Sequence, residues 1–509
     1  MNTAIQVCGL QKSYGGHAVL KGLDFQIFQG EIFSLLGVNG AGKTTALECM
    51  EGLRSYDGGT IVIKGKTGIQ LQSASLPAHI KPLEAVTLFS KWKKTKAESS
   101  MLAALGIQEL EKKQYFQLST GQKRRLHLAL ALVGNPDIIF LDEPTAGLDV
   151  EGRLALHNQI RNLKAQGKTI VLASHDMAEV EALCDRIAIL NGGHISFCGT
   201  AAELSEKVGK KYWVHIKTQQ GSNTVETENV ADALISLLSR LKRGGGRGAG
   251  HSSEQGHVGT AFCGNGREGR AMNGFLYGIA LQWRLDIRSR ALLVTCYLVP
   301  LAFFLLMGGI FTSVMPEMKN TLIQSMIVMS VSMGAFIGLP PSLVETYGSD
   351  VKKVYKANGV PLYLGLVTMA ISAFFHLLLT SAMILLLAPV LFGAALPASF
   401  FQFFLALALY LLTSLSIGGV LGLAVKSQAK LTMAAQLVFL PSIMLSGIMF
   451  PTNMLPGFLE GMGRVLPAFW GYRAMLEGGL GLENLWYLVL VCFAACGLCS
   501  VLLKRRAVA

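Results

Sequence analysis

From residue 357 to residue 425 the chain carries no Asp, Glu, Lys or Arg. A run this long without charge cannot be a solvated surface, and it has room for two helices that cross a bilayer, each needing about 20 apolar residues. The scarcity extends to both sides: residues 291–503 hold 14 of the 77 charged side chains, and the other 296 residues hold 63. A chain so divided is neither a wholly soluble enzyme nor a disordered polymer. It is expected to join a soluble first part to a membrane-embedded second part.

Six apolar stretches in the second part are long enough to span, at about 291–314, 321–344, 362–392, 400–425, 431–450 and 484–503. The third is overlong and carries Pro389 near its end, so a tilt or kink is expected there. Orientation follows from the basic residues of the loops. With the first part in the cytosol, eleven fall inside (Arg284, Arg288, Arg290, Lys352, Lys353, Lys356, Lys426, Lys430, Lys504, Arg505, Arg506) and three outside (Lys319, Arg464, Arg473). This bias predicts a multi-pass protein of the cell (inner) membrane with both ends and the soluble part in the cytoplasm. The opening MNTAIQVCGL has no basic stretch before an apolar core, which agrees with that placement. The net charge of +13 is therefore assigned to a membrane surface, and no nucleic-acid partner is expected. Nine cysteines form no metal-ligand framework.

Residues 275–290, FLYGIALQWRLDIRSR, alternate apolar and charged faces at helical spacing and predict a helix lying along the cytoplasmic interface before the first span. The polar inner loop 345–361 leaves the bilayer and has room for a short helix that touches a cytosolic partner. The outer segment between the last two stretches mixes prolines, aromatics and scattered charge as an interfacial hairpin does. Within the spans Gln324, His376, Gln402 and Gln436 are the polar residues that stand out. A buried His is a proton relay or a substrate contact in one reading and a plain interhelical hydrogen bond in the other. With no intramembrane Asp, Glu, Lys or Arg, a lipophilic or amphipathic cargo is easier to accommodate than a bare ion.

The first part carries chemistry. EIFSLLGVNGAGKTTALECM reads as a strand, a glycine-rich turn and a helix. Gly37, Gly42, Lys43 and Thr44 have the spacing of a phosphate loop: glycines let backbone N–H groups close on phosphate oxygens, Lys43 adds a point charge and Thr44 is a ligand for Mg²⁺. A second apolar strand, residues 138–141, ends in Asp142 and Glu143, one carboxylate to hold Mg²⁺ and the next to polarise water. A third, TIVLASHD, delivers His175 at its end. Strands alternating with helical runs predict an α/β domain with a largely parallel sheet.

Taken together, residues 1–242 resemble the nucleotide-binding domain of an ATP-binding cassette (ABC) transporter, an α/β P-loop NTPase. Tyr14 matches the aromatic that stacks on adenine, and residues 37–45, with Gly37, Asn39, Gly40, Gly42, Lys43, Thr44 and Thr45, match the Walker A loop. Gln72 matches the Q-loop glutamine, which approaches Mg²⁺ and faces the transmembrane coupling helix; Gln70 is the other possible register. Leu118 to Gln122 match the family signature, Thr120 replacing the usual Gly while Ser119 and Gly121 are retained. Asp142 matches the Walker B aspartate, Glu143 the catalytic glutamate, residues 146–149 with Asp149 the D-loop, and His175 the switch histidine. Alone, Tyr14 would be a turn aromatic, Gln72 a surface amide and Ser119 a helix cap.

Residues 273–509 are similar to the ABC-2 family of permeases, all-α with six spans, an interfacial helix in front, Glu345 opening the first inner loop and a proline-rich outer hairpin before the last span. The resemblance implies a half-transporter. Two chains would form a homodimer with each ATP between Lys43 of one and Ser119 of the other, and the loop 345–361 would pass closure and opening to the spans. The function implied is ATP-driven export of a lipophilic or amphipathic small molecule, whether drug, antibiotic or lipid. The alternatives are sodium, haem or glycan export, or a nucleotide-dependent membrane regulator that moves nothing. A soluble ABC protein of ribosomes or DNA repair is disfavoured, because those carry two ATPase domains or a long coiled coil and lack the six spans.

Residues 244–274 contain 11 glycines and no hydrophobic periodicity. A flexible linker over 243–272 is the direct reading, reaching about 30 Å as a coil. The stretch also reads as an out-of-frame seam. With permitted codons, residues 256–271 shifted by one base become ATLELRFVEMAGKEEQ, which resembles the usual ending of separate ATPase subunits that pair with ABC-2 permeases. Independently of codon choice, Ala271, Met272 and Asn273 require GCN-ATG-AAY, so the shifted frame closes on a TGA overlapping the ATG of Met272. Sequencing the gene tests whether a slip near Lys242 joined two adjacent genes: a long +1 open frame ending at that TGA is expected, and its absence refutes the seam.

Overall fold

The computed structural model describes residues 2–208, 212–218, 221–227, 274–348, 350–449, 456–476 and 482–508. The glycine-rich join at 243–272, and with it the suspected seam, lies outside them. The chain packs as two units. One comprises Met1–Met50, Arg54–Lys64 and Leu156–Ala271, the other Glu51–Leu53, Gly65–Ala155 and Met272–Ala509.

In the first unit, strands Thr3–Tyr14 and His17–Phe28 form an antiparallel hairpin, and Gly58–Ile63 pairs with the other side of the first strand. The hairpin turns at Gly15 and Gly16, whose φ values of +53° and +86° require residues without a Cβ. Ile5, Val7 and Leu10 point inward from a strand whose alternate residues are exposed. A second set of strands is parallel: Ile32–Leu36 lies between Thr169–Ser174 and Arg186–Asn191, and His194–Gly199 closes the edge antiparallel. Every residue of Thr169–Ser174 is buried, as expected of a parallel strand covered on both faces.

The second unit begins with the parallel strands Thr67–Gln70 and Ile138–Asp142 and the helices Pro82–Trp92 and Thr120–Leu132. The rest of the unit, residues 274–508 where described, is helical. Helix Gly274–Arg288 forms where an amphipathic helix is expected, directly before the first span. Among the described residues five helices are long and apolar enough to cross a membrane: Arg290–Val314, Leu322–Gly348, Tyr363–Phe392, Phe400–Ala424 and Leu485–Arg506. The overlong third ends just past Pro389 in a left-handed cap at Gly393.

The expected span at 431–450 takes a different form. Helix Gln428–Met444 has 17 residues, contains Pro441 and gives way to a turn at Gly447, φ +82°. Pro441 lies three residues before the end of this helix, where the loss of one amide donor is accommodated as it is at Pro389 of the third span. The outer segment after it forms two short helices, Gly457–Arg464 and Pro467–Leu476.

The second span is the core of the membrane part, with Leu322, Ile323, Ile327, Val328 and Val331 all at 0% exposure. Helices close on it where side chains are missing. A Cβ at Gly418 would lie 2.1 Å from the Ala335 carbonyl oxygen, so the fourth span approaches backbone to backbone, as small residues allow in a bilayer. Gly418→Val is expected to cost about 1–3 kcal/mol by overpacking and to lower the thermal midpoint of the purified protein. Gly309→Val, at a position with nothing within 4 Å, is expected to leave it unchanged.

Candidate functional site

In the first unit the loop after Ile32–Leu36 is shaped by its glycines. A Cβ at Gly37 would meet the Leu190 carbonyl oxygen at 2.5 Å, and Gly42, at φ +103°, would press on Leu20 at 2.9 Å. At Gly40, φ +83°, the space is open. The loop is thus packed at its base and open at its crest, where Val38 is 72% exposed. Lys43 opens helix Lys43–Met50 and is itself buried, its Nζ donating to the Gly37 carbonyl at 2.7 Å and the Val38 carbonyl at 3.2 Å. Helix amides, glycine-shaped backbone and an ammonium are thereby gathered at one loop, the donor set an anionic phosphate requires. Thr44 and Thr45 follow in the first helical turn.

Tyr14 ends the first strand, 39% exposed, with the Arg54 guanidinium 5.3 Å and the Lys12 ammonium 5.6 Å from its ring centre. Arg54 is held by Glu48 at 2.5 Å and Lys12 by Asp57 at 2.9 Å. His175 is exposed just beyond Thr169–Ser174. Its turn is fixed on both sides: Ser174 donates to the buried Glu179 carboxylate at 2.6 Å, and Asp176 caps helix Met177–Leu183 by accepting from the Ala178 amide.

In the second unit, strand Ile138–Asp142 is wholly buried and ends at Asp142, 3% exposed. Glu143 follows with φ +44°, a left-handed conformation disfavoured for any residue with a side chain. Its carboxylate accepts a hydrogen bond from Gln72 Nε2 at 2.9 Å. Gln70, the other possible register, is instead buried at its strand end, 1% exposed. Sequence reasoning passed over Arg124. Its guanidinium donates to the Leu71 carbonyl at 3.3 Å, and burial lowers its pKa while the nearby Asp142 and Glu143 carboxylates raise it. A second basic residue beside the signature was the available signal.

Ser119 is the N-cap of helix Thr120–Leu132. Its Oγ accepts from the Gln122 amide at 3.3 Å, and the Gln122 side chain accepts from the Ser119 amide at 3.1 Å. This is a reciprocal capping box. A Cβ at Gly121 would sit 3.5 Å from Leu148, and one at Gly147 3.5 Å from the Thr120 methyl, so the signature and residues 146–149 lie against each other. Asp149 Oδ1 accepts from the Gly152 amide at 2.9 Å. The structure therefore brings together Gln72 with Glu143, and Ser119, Gly121 and Gln122 with the segment leading to Asp149.

The same unit bonds this region to the helical part. Arg288, the last residue of Gly274–Arg288, grips Glu84 with both guanidinium nitrogens, each at 2.7 Å. Trp92 Nε1 donates to the Gly359 carbonyl at 2.8 Å, Phe89 meets Tyr355 edge-on, and Lys356 donates to the Leu53 carbonyl at 2.6 Å. Tyr355 and Lys356 belong to helix Val351–Ala357, the short helix of the inner loop.

Residues 20–146 match the ABC transporter family and residues 275–479 the ABC-2 type transporter family. Over 223 residues the chain is 32% identical to the "Linearmycin resistance ATP-binding protein LnrL" of Bacillus subtilis, covering 40% of this chain and 72% of that one. Over 224 residues it is 37% identical to a "Nod factor export ATP-binding protein I" of Rhizobium etli, covering 40% and 71%. An uncharacterized ABC transporter ATP-binding protein of Methanocaldococcus jannaschii is 34% identical over 214 residues, covering 41% and 82%.

Burial alone would raise the Glu84 carboxyl, but the Arg288 guanidinium and the Lys81 amide hold it below its usual value. A carboxylate held low stabilises the fold at neutral pH and loses that contribution as pH falls through its lowered pKa. A double-mutant cycle of Glu84→Gln and Arg288→Met on thermal stability is expected to show about 1.5–3 kcal/mol of coupling at neutral pH, vanishing in acid.

Proposed function

Because this chain belongs to the ABC transporter family, with an ATP-hydrolysing part and an ABC-2 type membrane part in one polypeptide, we propose that it exports a lipophilic or amphipathic small molecule from the cytoplasm. The observation that carries the proposal is the bonding of the segment holding Gln72 and the signature to both the interfacial helix and the inner-loop helix. Work done at the nucleotide then has a continuous path of hydrogen bonds and packed side chains into the spans. The relatives named for linearmycin resistance and for Nod factor export support outward transport of such a cargo.

In this reading the amides of Gly37, Asn39, Gly40 and Gly42 and the Lys43 ammonium hold the phosphates, Thr45 supports the loop, and Tyr14 stacks on adenine. Thr44, Asp142 and Gln72 would hold Mg²⁺, their oxygens being the hard donors that this ion selects, and there it would supply neutralisation of phosphate charge. Glu143, aimed by Gln72, orients and deprotonates water, and His175 donates toward the terminal phosphate. Two chains pair as a homodimer, so that Ser119, Gly121 and Gln122 of one complete the site of the other beside Asp149. ATP favours the closed pair through its differential affinity for it, and hydrolysis releases it. The excess of basic residues in the inner loops supports a cytoplasmic ATPase and cytoplasmic termini, with domains 1–242 and 273–509 joined by the linker 243–272.

The test is ATP-dependent uptake of a panel of lipophilic compounds into inverted vesicles. Glu143→Gln is expected to reduce hydrolysis and uptake together, by about a hundredfold or more. Uptake unaffected by the substitution would remove the motor assignment. Hydrolysis without uptake of any compound would favour a nucleotide-dependent membrane regulator.

A further inference from the structure

Asp286 lies two residues before Arg288 on the interfacial helix but faces the opposite way, 6% exposed against the third span. Its Oδ2 accepts from the Ser372 hydroxyl and its Oδ1 from Gln282 Nε2 at 2.8 Å. His376, 1% exposed, puts its Nε2 4.0 Å from Oδ2. That ring is fixed on two sides. Trp283 stacks on it at 4.1 Å and 3°, and the Tyr297 hydroxyl bonds Nδ1 at 2.5 Å. Nε2 is buried and makes no hydrogen bond. Tyr297 sits in the π-helical segment Val294–Leu298 of the first span, a widened turn of the kind often found where a helix serves a site.

A buried carboxylate is costly without a cation. The groups facing Asp286 supply none. From its own helix come Gln282 and Trp283, from the first span Cys296 and Tyr297, and from the third span Ser372 and His376. Arg288 is committed to Glu84, and Arg284 lies with it beside Tyr277. Burial pushes the Asp286 carboxyl up to about 6, so a proton is taken up as pH falls through the mildly acidic range.

We infer that Asp286 and His376 form a proton-binding site that fastens the interfacial helix to the third span. One proton from solvent changes the pair from one negative charge to none. With that proton on imidazole, both ring nitrogens become donors, Nε2 toward the Asp286 carboxylate and Nδ1 toward the Tyr297 oxygen. The 4.0 Å gap then closes to a charge-assisted hydrogen bond. Proton loss leaves a bare carboxylate held by two neutral donors and loosens the joint. The two residues titrate as a unit, so the property belongs to the pair.

Trp283 provides the readout, because an imidazolium stacked on indole quenches its fluorescence and a neutral imidazole does so far less. The full chain, purified in detergent, is titrated from about pH 5 to pH 8, with Trp283→Phe subtracted to remove the other tryptophans. A single quenching transition is expected as pH falls. His376→Gln abolishes it, Asp286→Asn moves it at least about one pH unit lower, and Asp286→Glu restores it to near its original position. A transition that Asp286→Asn leaves in place, or no Trp283-dependent transition at all, overturns the site. The measurement involves neither ATP nor cargo, so its result is separate from that of the transport assay.

Discussion

Of the two helices that join the ATPase chemistry to the membrane part of the second unit, Gly274–Arg288 has opposite commitments on its two sides. Positions two apart on a helix point about 200° away from each other. Arg288 and Asp286 therefore cannot share a face. The first is locked to Glu84 on helix Pro82–Trp92, and the second is buried against Ser372 and His376 of the third span. Rotating the helix to relieve either contact breaks the other and strands a partly buried charge, a loss of several kcal/mol in comparable pairs. Gly274–Arg288 thus has a single rotational setting and transmits displacement rather than absorbing it.

What it transmits begins at a strained residue. Glu143 occupies a left-handed conformation at φ +44°, worth on the order of 1 kcal/mol or more against folding. The fully buried strand before it and the bond from Gln72 hold it there. Gln72 is steadied in turn, since Arg124 binds the carbonyl of Leu71 next to it and stands near both Asp142 and Glu143. The glutamine, the acidic pair and the start of the signature helix form one bonded group. A change in charge at Glu143 is felt at Gln72 without crossing loosely packed chain.

The nucleotide motifs were legible because each is a short stretch in which backbone geometry dictates residue type: glycine where a Cβ would strike Leu190 or Leu20, and a capping pair three residues apart at Ser119 and Gln122. Burial across the membrane part was not legible in the same way. Asp286 sits among Arg284, Arg288 and Arg290, and an amphipathic reading gave the whole charged side to the lipid interface. Only packing against Ser372, 86 residues away, buries it. Helical geometry held a clue, since Asp286 and Arg288 could not both belong to one solvated face. His376 stood out by type, but its ring's neighbours come from two other segments, the helix Gly274–Arg288 and the first span, and no local pattern assembles them.

The signature helix shows why a structural and a functional reading of one residue need not compete. In the single chain, Ser119 and Gln122 satisfy each other's backbone amides at the end of a 13-residue helix. Such a cap contributes about 1 kcal/mol. In the proposed homodimer a phosphate of the partner's nucleotide would meet the same amides and the same hydroxyl, and a hydrogen bond to a charged group is worth about 1.5–3 kcal/mol. Exchanging the first for the second is favourable by a small margin, and so is reversible. The cap keeps the helix end ordered in the single chain, and in the proposed homodimer it would yield to the anion, so the two readings of Ser119 would be successive states of one group.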